Sequence, residues 1–337
     1  MERTLRLGTR ASRLALAQAT QVIEALRSIG RDVDLVPLTT LGDRQRDVKL
    51  SSLGGVGAFT REIQRSLLAN QTDLAVHSLK DLPTSPHEGL TLAATPRRFQ
   101  RHDVAVSVRF RDWSELPECA VVGTGSQRRS AQLSHQLPSL KIRPIRGNIE
   151  TRLEKLAAGE YDVLLLSAVS LYRLGLDRTW SVLPSPPWEW LCPAAGQGAI
   201  GIEIRQSDVE LHRTLQRISD PYTFTEITAE RSMLRELGAG CSAPVGASAE
   251  LTSDLKGAFH LRFHGCLLSE DGRIRTDVRD ALPLPTVPVT RPGPPPEEWL
   301  TLATTLGTRV ATSLRQRFPS PTSGDERFLP FDLNDHK

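Results

Sequence analysis

Apolar and polar positions along the first part of the chain follow two spacings in turn. Thr4–Thr9 alternates with a period of two, which predicts a strand, whereas the apolar positions of Ala11–Ile29 recur mostly at helical spacing. The same order of strands and a helix continues at Val33–Thr39, Phe59–Asn70, Asp73–Val76 and Leu90–Ala94. Such alternation is typical of a parallel α/β sheet.

A second block repeats this alternation. Strands are predicted at Asp103–Val108, Ala120–Val122, Lys141–Ile145 and Val163–Leu166, with helices from about Ser126 and over Ile149–Ala158. After a passage broken by prolines, Gly198–Ile204 supplies a late strand that can return to the first sheet. We therefore predict an α/β fold of two doubly wound lobes, resembling the two-lobed architecture of periplasmic binding proteins, with the ligand in the cleft between them.

The remaining third of the chain has a different pattern. An amphipathic helix at Phe224–Leu237 precedes three predicted antiparallel strands, and a long helix follows at about Glu297–Arg317. Seven prolines between Pro283 and Pro296 predict a stiff, extended insertion. The expected domains are an α/β lobe of residues 1–97 with 196–217, a second lobe of 98–195, a small α+β third domain with an antiparallel sheet at 218–318, and a flexible tail at 319–337.

Composition narrows the class of protein. No stretch approaches the roughly 18 consecutive apolar residues of a membrane span, and the first ten residues contain no apolar core of a signal peptide. The four cysteines are irregularly spaced, which gives neither a metal knuckle nor a disulfide framework. We therefore expect a cytoplasmic protein with reduced thiols and no metal.

Arginine dominates the basic residues. Lysine supplies only six of the 42 basic residues and arginine the other 36, while the net charge is only +3. Several arginines follow predicted strands: Arg10, Arg128, Arg129, Arg146, Arg152 and Arg173. Each alone could be a solvated surface group, and the arginine content alone could reflect codon bias. Together, at strand ends that face one cleft, they indicate a ligand with many carboxylates or phosphates.

The segment Asp73–Pro83 is the second candidate feature. Its strand delivers Ser78, Lys80 and Asp81 to a loop that a proline ends. A carboxylate held among cations is expected to stay ionised and suits the stabilisation of a developing positive charge. The alternative is that Asp81 is an ordinary turn residue.

Cys241 is the third candidate feature. It follows Gly240 on a loop after a predicted helix, and a thiol exposed near arginines is a good nucleophile. The alternative is an ordinary loop residue.

Seven motifs in this order resemble those of the porphobilinogen deaminase family. They are Arg10–Leu16 with Gln18, Ala75–Asp81, Val122–Arg129, Arg146–Asn148, Ala194–Ala199, Ala229–Arg231 and Gly240–Cys241. The resemblance covers residues from about 4 to 250, and extends more weakly to about 318.

This resemblance implies a function and a set of roles. The family joins four porphobilinogen units, each losing ammonia, on a dipyrromethane cofactor held as a thioether by Cys241, and releases hydroxymethylbilane for tetrapyrrole synthesis. Asp81 would be the catalytic carboxylate that stabilises the cationic azafulvene. Cofactor contacts would come from Ser78, Lys80, Asp81, Thr124, Ser126, Arg128, Arg129 and Arg146. Substrate contacts would come from Arg10, Ser12, Gln18, Arg152 and Arg173.

Two other classes of protein compete with this interpretation. A two-lobed organic-anion binding protein without catalysis explains the cleft and the arginines, but not Cys241 or Asp81. A nucleic-acid binder should carry a basic face interleaved with aromatics, yet aromatics are only 5% of the residues. We expect a monomer with porphobilinogen as its small-molecule partner and with neither nucleic acid nor membrane. One departure from the family is Val56, where a lysine is usual.

Overall fold

The structure, a computed structural model, describes residues 3–39, 60–184, 190–240, 243–254 and 257–319. Cys241, Val56 and the predicted tail beyond residue 319 lie outside these ranges. No helix in the described ranges is long and apolar enough to cross a membrane.

The elements agree with most of the sequence predictions, with ends shifted by a few residues. The strands of the described residues are β1 (Leu5–Arg10), β2 (Val33–Leu38), β3 (Leu74–Ser78), β4 (Leu90–Ala94), β5 (Asp103–Val106), β6 (Val121–Gly123), β7 (Lys141–Arg143), β8 (Val163–Ser167), β9 (Ile200–Arg205), β10 (Val245–Ser253), β11 (Phe259–Leu268) and β12 (Arg275–Leu284). The helices are α1 (Arg13–Ser28), α2 (Arg61–Leu68), α3 (Gln127–Gln136), α4 (Ile149–Ala157), α5 (Ala168–Arg173), α6 (Val209–Gln216), α7 (Pro221–Leu237) and α8 (Glu297–Arg317). The short helices α5 and α6 are not predicted by the pattern.

The first lobe is built on a five-stranded sheet in the order β2-β1-β3-β9-β4. As predicted, β1 is parallel to β2 and β3, and the late strand β9 returns to this sheet. The alternation is typical of a parallel sheet, but the sheet is mixed, because β9 is antiparallel to β3 and β4. The reason is that β9 enters from the other lobe and not through a crossover helix, which is what parallel neighbours require.

The second lobe repeats this arrangement in the order β5-β8-β6-β7. β6 is parallel to β7 and β8, whereas β5, the first strand after the chain crosses from the first lobe, is antiparallel to β8. The core strand β8 is buried along its whole length, as expected for a strand covered on both faces. The α/β fold of two lobes is thus confirmed.

The third domain is a three-stranded antiparallel sheet, β10-β11-β12, packed against α7 and α8. Its largest fully buried side chain is Trp299. The proline-rich insertion is not wholly separate from the sheet, because β12 continues to Leu284 and Pro283 pairs with His260. Proline is tolerated there because β12 is an edge strand, whose outer N–H groups need no partner in the sheet.

Two segments, residues 95–102 and 190–199, cross between the lobes. They run so close together that a side chain on Gly198, whose φ is +89°, would lie 2.8 Å from the carbonyl oxygen of Gln100. The buried carboxylate of Glu230 on α7 binds both segments, accepting hydrogen bonds from Arg98 at 3.0 Å and from the Gly196 N–H at 2.7 Å. The third domain is therefore attached directly to the connection between the lobes.

Candidate active site

Five of the predicted site residues line one cleft of the first lobe: Arg10, Ser12, Gln18, Ser78 and Asp81. They come from the end of β1, from the start and inner face of α1, and from the end of β3 with the 3₁₀ turn that follows it. Since β1 and β3 are parallel neighbours, their carboxyl ends meet at the same edge of the sheet. Residues about 70 positions apart in sequence are thereby brought together.

Local hydrogen bonds fix the walls of this cleft. Ser12 begins α1, and its Oγ accepts a hydrogen bond from the Ala15 N–H at 3.4 Å. Gln18 is buried on the inner face of the helix, and the Ser78 hydroxyl donates to its Oε1 at 2.9 Å. Asp81, half-buried, follows in the 3₁₀ turn Leu79–Asp81. A carboxylate is therefore presented at the rim of a cleft that also contains a guanidinium group.

A buried ionic cluster lies in the second lobe. Arg128 Nη2 lies 2.8 Å from Asp103 Oδ2, and Arg129 donates through Nε and Nη2 to Asp103 Oδ1 at 3.1 and 2.7 Å. Burial opposes ionisation of Asp103, but the two guanidinium groups outweigh it and hold the pKa of Asp103 well below its ordinary value. One carboxylate is thus shared by two buried cations.

Lys80 connects the first lobe to this cluster. Its Nζ donates to Gln197 Oε1 at 3.4 Å, and Gln197 Nε2 donates to Asp103 Oδ1 at 2.9 Å. Burial and the Arg129 guanidinium lower the pKa of Lys80 to about 8. Lys80 therefore stays mostly protonated at neutral pH, but at an electrostatic cost that an anionic ligand would relieve.

Arg146 and Arg152 extend the positive region. Arg152 Nε donates to the Gly147 carbonyl at 2.9 Å. Burial, with the nearby guanidinium groups of Arg129 and Arg146, lowers the pKa of Arg152 to about 10. Positive charge gathered in this way around Arg152 favours a ligand that carries several negative charges.

Thr124 and Ser126 lie before α3. Thr124 is buried, and its Oγ1 accepts a hydrogen bond from the Ser126 N–H at 3.2 Å. Ser126 occupies the N-cap position as expected, but its side chain makes no capping hydrogen bond. The hydroxyl of Ser126 is therefore not used to cap the helix.

Arg173 lies at the contact between the lobes. Its Nε donates to Gln21 Oε1 on α1 at 3.3 Å, and its Nη2 donates to the Gly198 carbonyl at 3.1 Å. Burial lowers the pKa of Arg173 to about 10. The structure thus gives Arg173 contacts that join the lobes, besides the ligand contact expected from the sequence.

The helix that precedes Cys241 contacts the loop that follows Asp81. On α7, Arg231 Nη1 donates to the Leu82 carbonyl at 3.0 Å, and its Nη2 donates to the Pro83 carbonyl at 2.6 Å. The helix ends at Gly238, which has a φ of +67° and lies three positions before Cys241. Cys241 lies outside the described residues, but the helix leading to it is held beside the Asp81 loop.

Sequence reasoning missed the residues that organise this site. Asp103 was predicted only as a strand residue, although a charged residue at the head of an apolar strand is a signal for a buried ion pair. Gln197 stands within the Ala194–Ala199 motif, and Glu230 within Ala229–Arg231, but neither was assigned a contact. Their roles depend on partners 19 to 132 positions away, which no local pattern contains.

Comparison with known proteins identifies the family. Residues 5–213 match the family described as "Porphobilinogen deaminase, dipyromethane cofactor binding domain", and residues 224–284 match "Porphobilinogen deaminase, C-terminal domain". The chain belongs to the porphobilinogen deaminase family. The resemblance inferred from the seven motifs is thereby confirmed.

Three relatives show how much of the chain this family covers. Porphobilinogen deaminase 1 of Streptomyces coelicolor is 42% identical over 84% of this chain and 90% of its own length. The porphobilinogen deaminase of Acidothermus cellulolyticus is 45% identical over 74% of this chain and 76% of its own length. That of Roseiflexus is 44% identical over 81% of this chain and 89% of its own length.

Similar solved structures include a periplasmic substrate-binding protein of an ABC transporter from Coxiella burnetii. It is 13% identical, covers 66% of this chain and 94% of its own length, and gives a TM-score of 0.42. Because this similarity is weak, the evidence for the two-lobed architecture is the strand order of the two sheets.

The residues present fit the dipyrromethane cofactor of this family. Each of its pyrrole rings carries an acetate and a propionate, so the group is a polyanion. Lys80 and Arg152 have pKa values lowered by burial and by neighbouring guanidinium groups, and Asp103 is the carboxylate shared by Arg128 and Arg129. These buried cations therefore supply the positive charge that such a group requires.

Proposed function

We propose that this chain is a transferase that joins four porphobilinogen molecules, each with loss of ammonia, and releases hydroxymethylbilane for tetrapyrrole synthesis. The observation that carries the proposal is the convergence of Asp81 with Arg10, Ser12, Gln18 and Ser78 in one cleft, in a chain of the porphobilinogen deaminase family. A carboxylate, a cation and hydroxyl and amide groups are the set needed to bind a pyrrole with acidic side chains and to stabilise a cation formed from it.

Cys241 would hold the dipyrromethane covalently through a thioether. When bound, this group supplies a terminal pyrrole ring to which the first substrate is joined. Lys80, Arg128, Arg129 and Arg146 would bind its acidic side chains, with hydrogen bonds from Ser78, Thr124 and Ser126.

Asp81 would act on the reacting pyrrole. As ammonia leaves, positive charge develops on the ring, and a fixed carboxylate at the rim of the cleft would balance it and accept hydrogen bonds from the pyrrole N–H. The same carboxylate would accept the proton released when the new bond forms. Arg10, Ser12, Gln18, Arg152 and Arg173 would orient the incoming substrate by its acidic side chains.

A binding protein without catalysis would need the cations but not Asp81. The half-buried carboxylate of Asp81 lies close enough to Lys80 to offset part of the lowering of the lysine's pKa. It also shares the cleft with Arg10. A site selected only to bind organic anions would be weakened by such a carboxylate, because like charges repel. This favours the enzyme over the binding protein.

We also propose a monomer in the cytoplasm, with the domain limits expected from the sequence. Cys119, Cys192 and Cys266 are free thiols, the state usual in a reducing compartment.

The replacement Asp81→Asn tests the catalytic assignment. The amide retains hydrogen bonds but cannot balance positive charge, so the turnover number should fall about 10²–10³-fold, while the covalent mass increment of the cofactor remains. Porphobilinogen consumption and intact mass are the two measurements. The exposed Asp177 offers a matched control, since Asp177→Asn should keep both. Turnover by Asp81→Asn within a few-fold of the unchanged enzyme would make Asp81 a turn residue.

A further inference from the structure

Two buried cysteines face each other where the second crossing segment meets the third domain. Cys192 lies in the segment 190–199, Cys266 lies on β11, and neither is exposed. Both side chains belong to one buried cluster, with Ala131 and Leu268. Cys192 Sγ also lies 3.7 Å from the carbonyl oxygen of His264, two positions before Cys266.

Gly246 leaves the space in which the two side chains meet. It pairs with Cys266 across the β10–β11 ladder. A side chain on Gly246 would place its Cβ 2.7 Å from Cys192 Cβ and 2.7 Å from Cys266 Sγ, closer than carbon and sulfur atoms approach. The absence of that side chain therefore allows contact between the two thiols.

The surroundings distinguish the two sulfur atoms. The hydrogen bond from Cys192 lowers the pKa of Cys266, and the nearby Arg275 guanidinium acts in the same direction. Burial raises the pKa of Cys192. Since the thiolate is the nucleophile in thiol oxidation, the direction of these shifts favours Cys266 as the first sulfur to react.

We propose that Cys192 and Cys266 are an oxidative modification site at which a peroxide produces a disulfide between the third domain and the crossing segment. The Cys266 thiolate attacks one peroxide oxygen, which gives a sulfenic acid and, after protonation, one molecule of water. The Cys192 sulfur then attacks the Cys266 sulfur, the S–S bond forms, and the displaced hydroxide takes the thiol proton as a second water. Two thiols are oxidised, and one peroxide is reduced by two electrons.

The disulfide would connect two parts of the candidate active site. The Cys192 carbonyl accepts hydrogen bonds from Arg128 Nη1 at 2.7 Å and from Gln132 Nε2 at 3.0 Å. On the other side, Gly246 follows Cys241 by five positions on the same segment. The bond would therefore fix the segment that follows the cofactor cysteine relative to Arg128. We expect it to lower the turnover number at least about threefold, a consequence that rests on the proposed function.

The test uses the cofactor-loaded enzyme and hydrogen peroxide. After treatment, free thiols are alkylated under denaturing conditions and the protein is digested without reduction. The expected result is a peptide pair linked through Cys192 and Cys266, an intact mass lower by two hydrogens, and a fall in porphobilinogen consumption that dithiothreitol reverses. Cys192→Ala and Cys266→Ala should form no link and keep their turnover, while the exposed Cys119 allows Cys119→Ser as a matched control that behaves as the unchanged enzyme.

The link is measured independently of turnover, so the two parts of the proposal can fail separately. Quantitative alkylation of both cysteines after peroxide treatment, in folded and active enzyme, would overturn the modification site. So would a link that joins either cysteine only to Cys119. A complete link with unchanged turnover would overturn the functional consequence. A link in a chain that consumes no porphobilinogen would support the site and contradict the proposed function.

Discussion

Asp103 is predicted to hold Arg128 and Arg129 in place until ligand carboxylates bind. Its side chain is completely buried, and both guanidinium groups lie within 2.8 Å of its oxygens. Asp103→Asn keeps the shape but leaves two buried cations without their shared anion. Removing one partner of a buried ion pair costs about 3–5 kcal/mol, a large part of the roughly 5–15 kcal/mol that stabilises a typical domain.

The loss of stability caused by Asp103→Asn should depend on whether the cofactor is bound. Its carboxylates would partly replace Asp103, so the free energy of unfolding should fall by the full amount in cofactor-free chain and by clearly less in loaded chain. Cofactor-free chain is obtained on a Cys241→Ser background, and urea unfolding compares the four proteins. Asp73 supplies a matched control, because it is an equally buried carboxylate bound by Arg6 and Arg205 on the first lobe. Asp73→Asn should destabilise loaded and cofactor-free chain alike.

The pH dependence of the free energy of unfolding gives a second measurement. Asp103 and Asp73 both have lowered pKa values in the folded chain, to about 2 for Asp73. Each therefore stabilises the fold above the ordinary aspartate pKa of about 4, and the contribution is lost as the pH falls below it. The difference in free energy of unfolding between the unchanged protein and Asp103→Asn should have its full value at pH 7 and should decrease below pH 4. An equal loss with and without cofactor, or one below about 1 kcal/mol, would refute the reasoning.

Two further predictions concern the cations. Arg128→Leu should fold but fail to retain the cofactor, because a ligand carboxylate loses its partner at a cost of about 2–5 kcal/mol; intact mass and thermal stability measure this, and a bound cofactor in a strongly destabilised protein would contradict it. Lys80, which the proposal assigns to the cofactor, has a pKa lowered to about 8, so assembly of the dipyrromethane on cofactor-free chain should slow as the pH increases through 8 to 9 and the ammonium group loses its proton. Lys80→Arg should remove that slowing, which intact mass measures over time, and an unchanged pH profile would exclude Lys80 as its source.

Local pattern was sufficient for most of the elements. The helix at Glu297–Arg317 and the strand at Leu90–Ala94 were predicted with the ends that the structure has, since their apolar spacing is unambiguous. The start of α7 was predicted three residues late, although Asp220 as N-cap and Pro221 at the first helical position are a recognisable start signal.

The partners within the site required the folded chain. Ser78 and Asp81 were candidates from sequence, but the contact between Ser78 and Gln18 depends on the parallel pairing of β1 with β3. The direction of β9 likewise depends on the path of the chain between the lobes. The charge balance around Asp103 was not predictable, because burial and long-range partners determine it and sequence spacing does not.

The most direct test of the central claim is the intact mass of the purified chain. A covalently held dipyrromethane should add the mass of two pyrrole units bearing acetate and propionate, and peptide mapping should place the increment on Cys241. Cys241→Ser should fold and lack the increment, because a hydroxyl is not ionised at neutral pH as a thiol can be. A chain that consumes porphobilinogen at its normal rate without the increment, or keeps the increment after Cys241→Ser, would contradict the claim.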